Sequence, residues 1–308
     1  MRKCRGVDGL KMDIARQGSL TAAAKLADRA PRSTLLWPQS LQAPRFSRLF
    51  GASIDNTSLA AAARDLAERA AAGRRTRVVF VNAHVVNEMS NDKAYAALVA
   101  SADRTYADGS GMAIAARLAG QPLIDNVNGT DLFPVLAREM LARGRTIFLL
   151  GGREGVAAEA AATIARLGLG ASIAGTHHGY FEPGSAGEAE AIAAVNASGA
   201  DVVLVGMGVP VQDQWIAANA AQLTAPVLAG VGGLFDFFSG RVSRAPKAMR
   251  SAGLEWTWRL AMEPGRMAHR YLVGNVRFLG LASWQALAHR AGHGQAAAVI
   301  RPAFGDKR

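Results

Sequence analysis

Five short apolar runs, each bounded by turn residues and separated by stretches of helical periodicity, constrain this chain more than any other feature. They read RVVFV (77–81), TIFLL (146–150), ASIA (171–174), DVVLVG (201–206) and VLAGV (227–231). Continuous runs this short, rich in β-branched residues, fit strands of a parallel sheet buried on both faces. Helical spacing appears at about 91–101, 110–119, 130–143, 154–167, 186–198 and 212–222. An earlier helix runs through Leu59, Ala63, Leu66 and Ala70 to a stop at Gly73. The alternation predicts an α/β fold, a Rossmann-like doubly wound, mostly parallel sheet with right-handed crossovers.

Such a sheet binds ligands beyond the carboxyl ends of its strands. Polar and glycine residues gather at those ends: Asn82, Gly151 and Gly152, the run from Gly206 through Gly208 and Pro210 to Gln212, and Gly230 to Gly233 with Gly232 between them. One shared crevice is the expectation. Taken singly, each glycine is equally well explained by a tight strand-to-helix turn. The loop GGREGVA after the second run lacks the G-x-G-x-x-G order, so a dinucleotide-binding oxidoreductase is weakly supported.

The stretch YADGSGMAIAAR (106–117) places a lone carboxylate, Asp108, on a glycine-flanked turn opening a helix. Gly109 and Gly111 permit a sharp bend and close ligand approach, and Ser110 or Asp108 is suited to cap the helix. On its own the turn also reads as a cap and nothing more.

Charge divides the chain. Residues 1–50 carry ten Lys or Arg against three Asp (net +7), residues 51–240 thirteen against eighteen (−5), and residues 241–308 twelve against three (+9). A slightly acidic middle between basic ends predicts a poorly ordered basic extension at 1–45, an α/β core at 46–245, a helical, arginine-rich appendage at 246–290 and a tail at 291–308. Basic ends suit nucleic acid, anionic lipid or a solvated surface alike. In the appendage, arginines interleave with Trp, Leu, Met and Tyr, pausing at Pro264-Gly265. There Arg259, Arg266 and Arg270 are expected on one face, or the helix packs on the core through Leu254, Trp256 and Leu260 with its arginines solvated. The single cysteine, Cys4, rules out a disulfide framework or a cysteine metal site, and a cytoplasmic setting follows most simply. The apolar run Phe278–Ala288 is too short to span a bilayer, and no secretory signal is expected at the start.

The ordered motifs YADGSGM, NGTDL, FLLGGREGVA, GYF, GMGVPVQDQW, GVGGLFDFFSGRVSRAP and GLEWTWRLAMEPGRMAHRY resemble those of the WecG/TagA/CpsF family of bacterial glycosyltransferases, from about Leu49 to Phe278. The resemblance implies transfer of a hexosamine-type sugar (N-acetylmannosamine, its uronic acid, or glucose) from a UDP-sugar to a polyprenyl-diphosphate-linked saccharide in surface polysaccharide synthesis. It further implies peripheral association with the cytoplasmic membrane face, no cofactor and no dedicated metal. A homo-oligomer is left open, and nucleic acid is not an expected partner.

By the same resemblance Asp108 is the general base, and Asn82 binds donor or acceptor hydroxyls. Gln212 contacts the nucleotide, approached by the amides of Gly208, Gly232 and Gly233, and Arg259, Arg266 and Arg270 neutralise a diphosphate. Gly109, Asn128, Gly129, Asp131, Gly151, Gly152 and Pro210 complete the expected substrate-binding set. Three positions depart from the family pattern, with Phe80 for a Thr, Asn126 or Asn128 for an Arg, and Val211 for a Lys or Arg. All three bear on the identity of the sugar. The rival readings are the oxidoreductase and a nucleic-acid-binding protein that uses the basic ends.

Overall fold

The computed structural model describes residues 45–290. The basic extension expected at 1–45 falls, but for its last residue, outside the described residues, as does the tail at 291–308. The described chain opens on a hairpin, β1 (Phe46–Leu49) antiparallel to β2 (Ala52–Asp55). Its turn residues Phe50 and Gly51 have φ of 54° and 83°, the left-handed pair that matches strand twist in a two-residue hairpin. There follow α1 (Leu59–Ala71), β3 (Thr76–Val81), α2 (Ala83–Asn91), α3 (Lys93–Ala100), β4 (Arg104–Ala107), α4 (Ser110–Leu118), α5 (Gly129–Ala142), β5 (Ile147–Gly151) and α6 (Val156–Arg166). The core continues through β6 (Ile173–His177), α7 (Ala186–Ser198), β7 (Val202–Gly206), α8 (Val211–Asn219), β8 (Val227–Gly230) and α9 (Leu234–Phe238).

The main sheet is wholly parallel, in the order β4-β3-β8-β7-β5-β6. After β3 the chain runs outward to β4, after β5 it runs the other way to β6, and β7 and β8 fill the middle. The loops after β4, β3, β8 and β7 therefore leave side by side on one carboxyl-end rim, the ligand rim of a Rossmann-like sheet.

Alternation along the strands divides the core. Val78 and Phe80, Ile147 and Leu149, and Val202 and Leu204 point to one face, where α1, α5, α6 and α9 cover them. Val79 and Val81 pack instead with the hairpin, α2, α3 and α4. Phe148, Leu150, Val203 and Val205 meet α7 and α8. Every strand of the middle is thus covered on both sides, as its unbroken apolar sequence requires.

The five expected strands are present, the ASIA strand shifted to Ile173–His177 after a 3-10 turn at Gly170–Ser172. The hairpin, β4 and α2 were not foreseen. β4 reads RTYA and begins on a charge, which the fold offsets by pairing Arg104 with Asp65 at 2.7 Å and Asp55 at 3.7 Å. A four-residue polar-headed strand carries no periodic signal.

Beyond the core lie α10 (Lys247–Ser251), α11 (Glu255–Met262), α12 (Pro264–Ala268), one π-helical segment (His269–Val273) and α13 (Gly274–Arg290). Pro264 does not interrupt a helix; it starts α12, where its missing N–H is harmless. α11 buries no residue fully, and Leu254 is exposed. α13 is the opposite: Phe278 and Ala282 are buried with Met112 and Ala115 of α4 and Val85 and Val86 of α2. Its ends are tied down as well, Asn87 donating to the Gly274 carbonyl at 2.8 Å and the Phe50 amide to Gln285 Oε1 at 3.3 Å.

Candidate active site

Asp108 stands at the end of β4 and Asn82 at the end of the adjoining β3. Asn82 is the N-cap of α2: its Oδ1 accepts from the amides of His84 (3.0 Å) and Val85 (3.1 Å). With the oxygen engaged, the Nδ2 group is turned to Asp108 and donates to Oδ2 at 3.0 Å. The Asp108 amide donates to the Val81 carbonyl at 2.8 Å, and that of Gly109 to Asn126 Oδ1 at 2.7 Å. The bend needs glycine at 109, where φ is 95°.

Neither Asp108 nor Ser110 caps α4. Its cap position is Gly109, without a side-chain bond, and the Asp108 carboxylate is held by Asn82 instead. Ser110 donates to the Gly253 carbonyl at 2.9 Å, joining this loop to the chain just before α11. Gly111 packs against the segment beyond the core. It lies under the Phe278 ring, where a Cβ would come within 3.1 Å of Cε1.

Burial raises the Asp108 pKa above the ordinary carboxylate value, opposed by the Asn82 hydrogen bond, reinforced by the nearby Glu255 charge and again opposed by Arg270 and Arg259. Residues of α11 and of the π-helical segment therefore act on a carboxylate at the sheet rim. His84, on the first turn of α2, is pushed down to about 4 by burial and then by the Arg270 charge, while a bond to the Val209 backbone opposes them. Its imidazole is neutral at physiological pH.

Arg259 reaches the loop after β8. A Cβ on Gly233 would lie 2.7 Å from its Nη2, and its guanidinium sits 4.9 Å from the centroid of the Phe237 ring. Arg266 is on α12, and its side chain lies outside the described residues. Arg259 and Arg270 both act on the Asp108 side of the rim.

Asn128 caps α5, accepting from the Asp131 amide at 2.9 Å and donating to Asp131 Oδ2 at 2.8 Å. Arg244 donates to Asp131 Oδ1 at 2.6 Å and lies 3.4 Å from Glu255 Oε1, so one guanidinium bridges α5 and α11. Burial acts to raise the Asp131 pKa, but the Arg244 bond and charge outweigh it and hold the carboxyl below its ordinary value. Gly129 abuts the loop after β8, a Cβ there reaching Val231 at 4.0 Å.

Gln212 is buried, and its Oε1 accepts from the Gly232 amide at 2.7 Å and the Gly208 amide at 3.2 Å. Those two amides face inward to the glutamine. Pro210 precedes α8 in the same loop. Gly151 and Gly152 lie across three intervening strands from Asp108, roughly 19 Å at ordinary strand spacing. Gly151 packs on the Gly206 backbone, where a Cβ would meet the carbonyl oxygen at 2.5 Å, and the Gly152 amide donates to that carbonyl at 3.0 Å. Beside them Tyr180 is 67% exposed.

Of the departures, Phe80 is a core residue whose ring lies 5.8 Å from that of Tyr106 at a tilt of 44°, and Val211 is exposed. The sequence reading did not single out His84, Arg244 or Glu255. Arg244 and Glu255 sit inside motifs already quoted, and an Arg and a Glu eleven residues apart give no sign that the arginine joins the glutamate to Asp131 on α5.

Among the described residues no group of three or more His, Cys, Asp or Glu is placed to hold a metal ion, and no helix is long and apolar enough to cross a membrane. The family model described as Glycosyl transferase WecG/TagA/CpsF family matches residues 47–292. The chain belongs to that family and is a glycosyltransferase.

Proposed function

We propose that this family member transfers a hexosamine-type sugar (N-acetylmannosamine, its uronic acid, or glucose) from a UDP-sugar to a polyprenyl-diphosphate-linked saccharide. The setting is surface polysaccharide synthesis at the cytoplasmic face of the membrane. The observation that supports this best is the convergence on one rim of a carboxylate, Asp108, with two arginines, Arg259 and Arg270, from the segment beyond the core.

Glycosyl transfer needs a base for the attacking hydroxyl and positive charge for the departing diphosphate. Asp108 takes the proton as the acceptor hydroxyl attacks the anomeric carbon; the bond from that carbon to the diphosphate oxygen breaks, and UDP leaves with the electron pair. A raised pKa makes Asp108 a stronger base than an exposed carboxylate. Asn82 keeps the carboxylate in one orientation. Arg259 and Arg270 stabilise the charge that develops on the diphosphate, the Arg259 guanidinium being held against Gly233 and Phe237 before the substrate arrives.

A rim spanning four strand spacings suits an elongated nucleotide sugar, its base at the β5 end near the exposed ring of Tyr180 and its sugar at Asp108. The basic, apolar surface around α13, with Leu272, Val273, Val276 and Leu287 exposed, suits an acceptor held at a membrane surface. Calorimetry with UDP, NAD and a short oligonucleotide tests the reading, followed by product analysis with a panel of UDP-sugars and a polyprenyl-diphosphate sugar. Saturable binding of UDP alone supports it. Binding of NAD or oligonucleotide without UDP removes it.

A further inference from the structure

Behind the crevice three buried polar side chains form a chain of contacts that the transfer step does not use. Tyr95 of α3 and Asp213 and Gln212 of α8 are 1%, 2% and 3% exposed. The Tyr95 hydroxyl donates to Asp213 Oδ2 at 2.6 Å. Asp213 and Gln212 press together on the Gly230 backbone, where a Cβ would lie 2.5 Å from Asp213 Oδ1 and 2.7 Å from Gln212 Nε2. The Gln212 oxygen then takes the amides of Gly208 and Gly232, one from each loop that bounds the crevice.

Buried polar groups are destabilising unless paired, and an apolar trio of the same volume would fold at least as well. What such a trio would not do is orient the carboxamide. A glutamine can present either its oxygen or its NH2 to a neighbour. A carboxylate accepts only, so Asp213, whose Oδ1 makes no hydrogen bond of ordinary geometry, favours the NH2 side of the neighbouring Gln212 by its charge and leaves the oxygen for the two glycine amides. The ordering runs on: Gly232 precedes Gly233, and Gly233 is the backbone against which Arg259 lies.

We propose that Tyr95 and Asp213 are positioning residues for nucleotide-diphosphate binding, fixing the Gln212 carboxamide so that the Gly208 and Gly232 loops hold the spacing at which Arg259 meets the diphosphate. The inference rests on the UDP-sugar reading and assigns a task to two side chains that touch no substrate.

Asp213 is pushed up to about 6 by burial, against the lowering effects of the Tyr95 hydrogen bond and the neighbouring Gln212 amide. The charged groups nearest the pair are Glu88 of α2, whose charge reaches Tyr95, and Arg77 of β3, which lines the same small cavity as Asp213. Protonation of Asp213 removes the pull on the Gln212 NH2 and loosens both loops.

The experiment is UDP affinity by calorimetry on the full chain from pH 5 to 8, for the unaltered protein, Tyr95→Phe and Asp213→Asn, with thermal unfolding of each. Tyr95→Phe is expected to weaken UDP about three- to tenfold at pH 7. It also moves the acid loss of affinity to higher pH than in the unaltered protein, because the donor that favours the carboxylate is gone. The comparison between proteins cancels the ionisation of UDP itself. Asp213→Asn abolishes that pH-dependent step. Should Asp213→Asn fail to fold, Tyr95→Phe, which lacks one oxygen atom, carries the test alone. Wild-type affinity with an unmoved pH midpoint in Tyr95→Phe overturns the inference while the donor reading stands. If the unaltered chain does not bind UDP at any pH, the donor reading falls and this inference with it.

Discussion

The Asn82 amide group donates to Asp108 at 3.0 Å while the oxygen of the same side chain caps α2. A helix cap therefore decides which way the carboxamide faces, and the carboxylate receives a donor that cannot turn away. The relationship joins local helix chemistry to the Asp108 carboxylate across neighbouring strands.

Replacing Asp108 with Asn removes the base and keeps the shape. Turnover is expected to fall by about 10²- to 10⁴-fold, with UDP affinity nearly unchanged, measured as initial rates beside calorimetry. Near-normal turnover would take Asp108 out of the base role.

The same substitution should raise stability at neutral pH. A carboxyl whose folded pKa is raised favours folding through its protonated form below the unfolded value of 3.8, and that contribution is lost as pH rises through the folded pKa. Asp108→Asn should thus melt at a higher temperature than the unaltered protein at pH 8, with the difference shrinking towards pH 4. An equal or lower melting temperature at pH 8 would contradict the raised pKa.

Asn82→Asp keeps an N-cap acceptor and turns the donor facing Asp108 into a second carboxylate. Like charges about 3 Å apart cannot both ionise readily. The acid limb of the rate profile is expected to move to higher pH, whereas Asn82→Ala, which loses the cap too, should also destabilise by about 1 kcal/mol. An unmoved limb in Asn82→Asp would separate Asn82 from the ionisation of Asp108.

Arg259→Gln should weaken UDP binding about tenfold or more without unfolding the core, since α11 buries no residue fully. Arg259→Lys should not restore it, because a point charge cannot both span the Gly233 backbone and lie over Phe237. Affinity equal to wild type in Arg259→Gln would remove this arginine from the diphosphate site.

Phe278→Ala should destabilise by about 3–5 kcal/mol in chemical denaturation, because its ring fills the space between Phe50 and Gly111. Removing everything from residue 246 onward therefore strips a core helix as well as the arginines. Point substitutions in α11 separate those two effects. A cost under 1 kcal/mol for Phe278→Ala would show that α13 is not part of the core.

Five of the six strands of the main sheet were legible in the sequence. Continuous β-branched runs are buried on both faces, and the helices between them favour parallel strands, so the rim on which Asn82, Gly208 and Gly232 gather was legible from spacing, whereas β4, the strand that ends beside Asp108, was not. The sequence did not show that α13 belongs to the core, because helix periodicity says that a face is apolar and not what covers it. Nor did it show that Gln212 faces two glycine amides, that Gly111 exists for the Phe278 ring, or that Arg244 joins Asp131 to Glu255. Each is a contact between residues at least twenty positions apart in sequence for its longest span, and only the closing of the chain brings such partners within hydrogen-bond or packing distance.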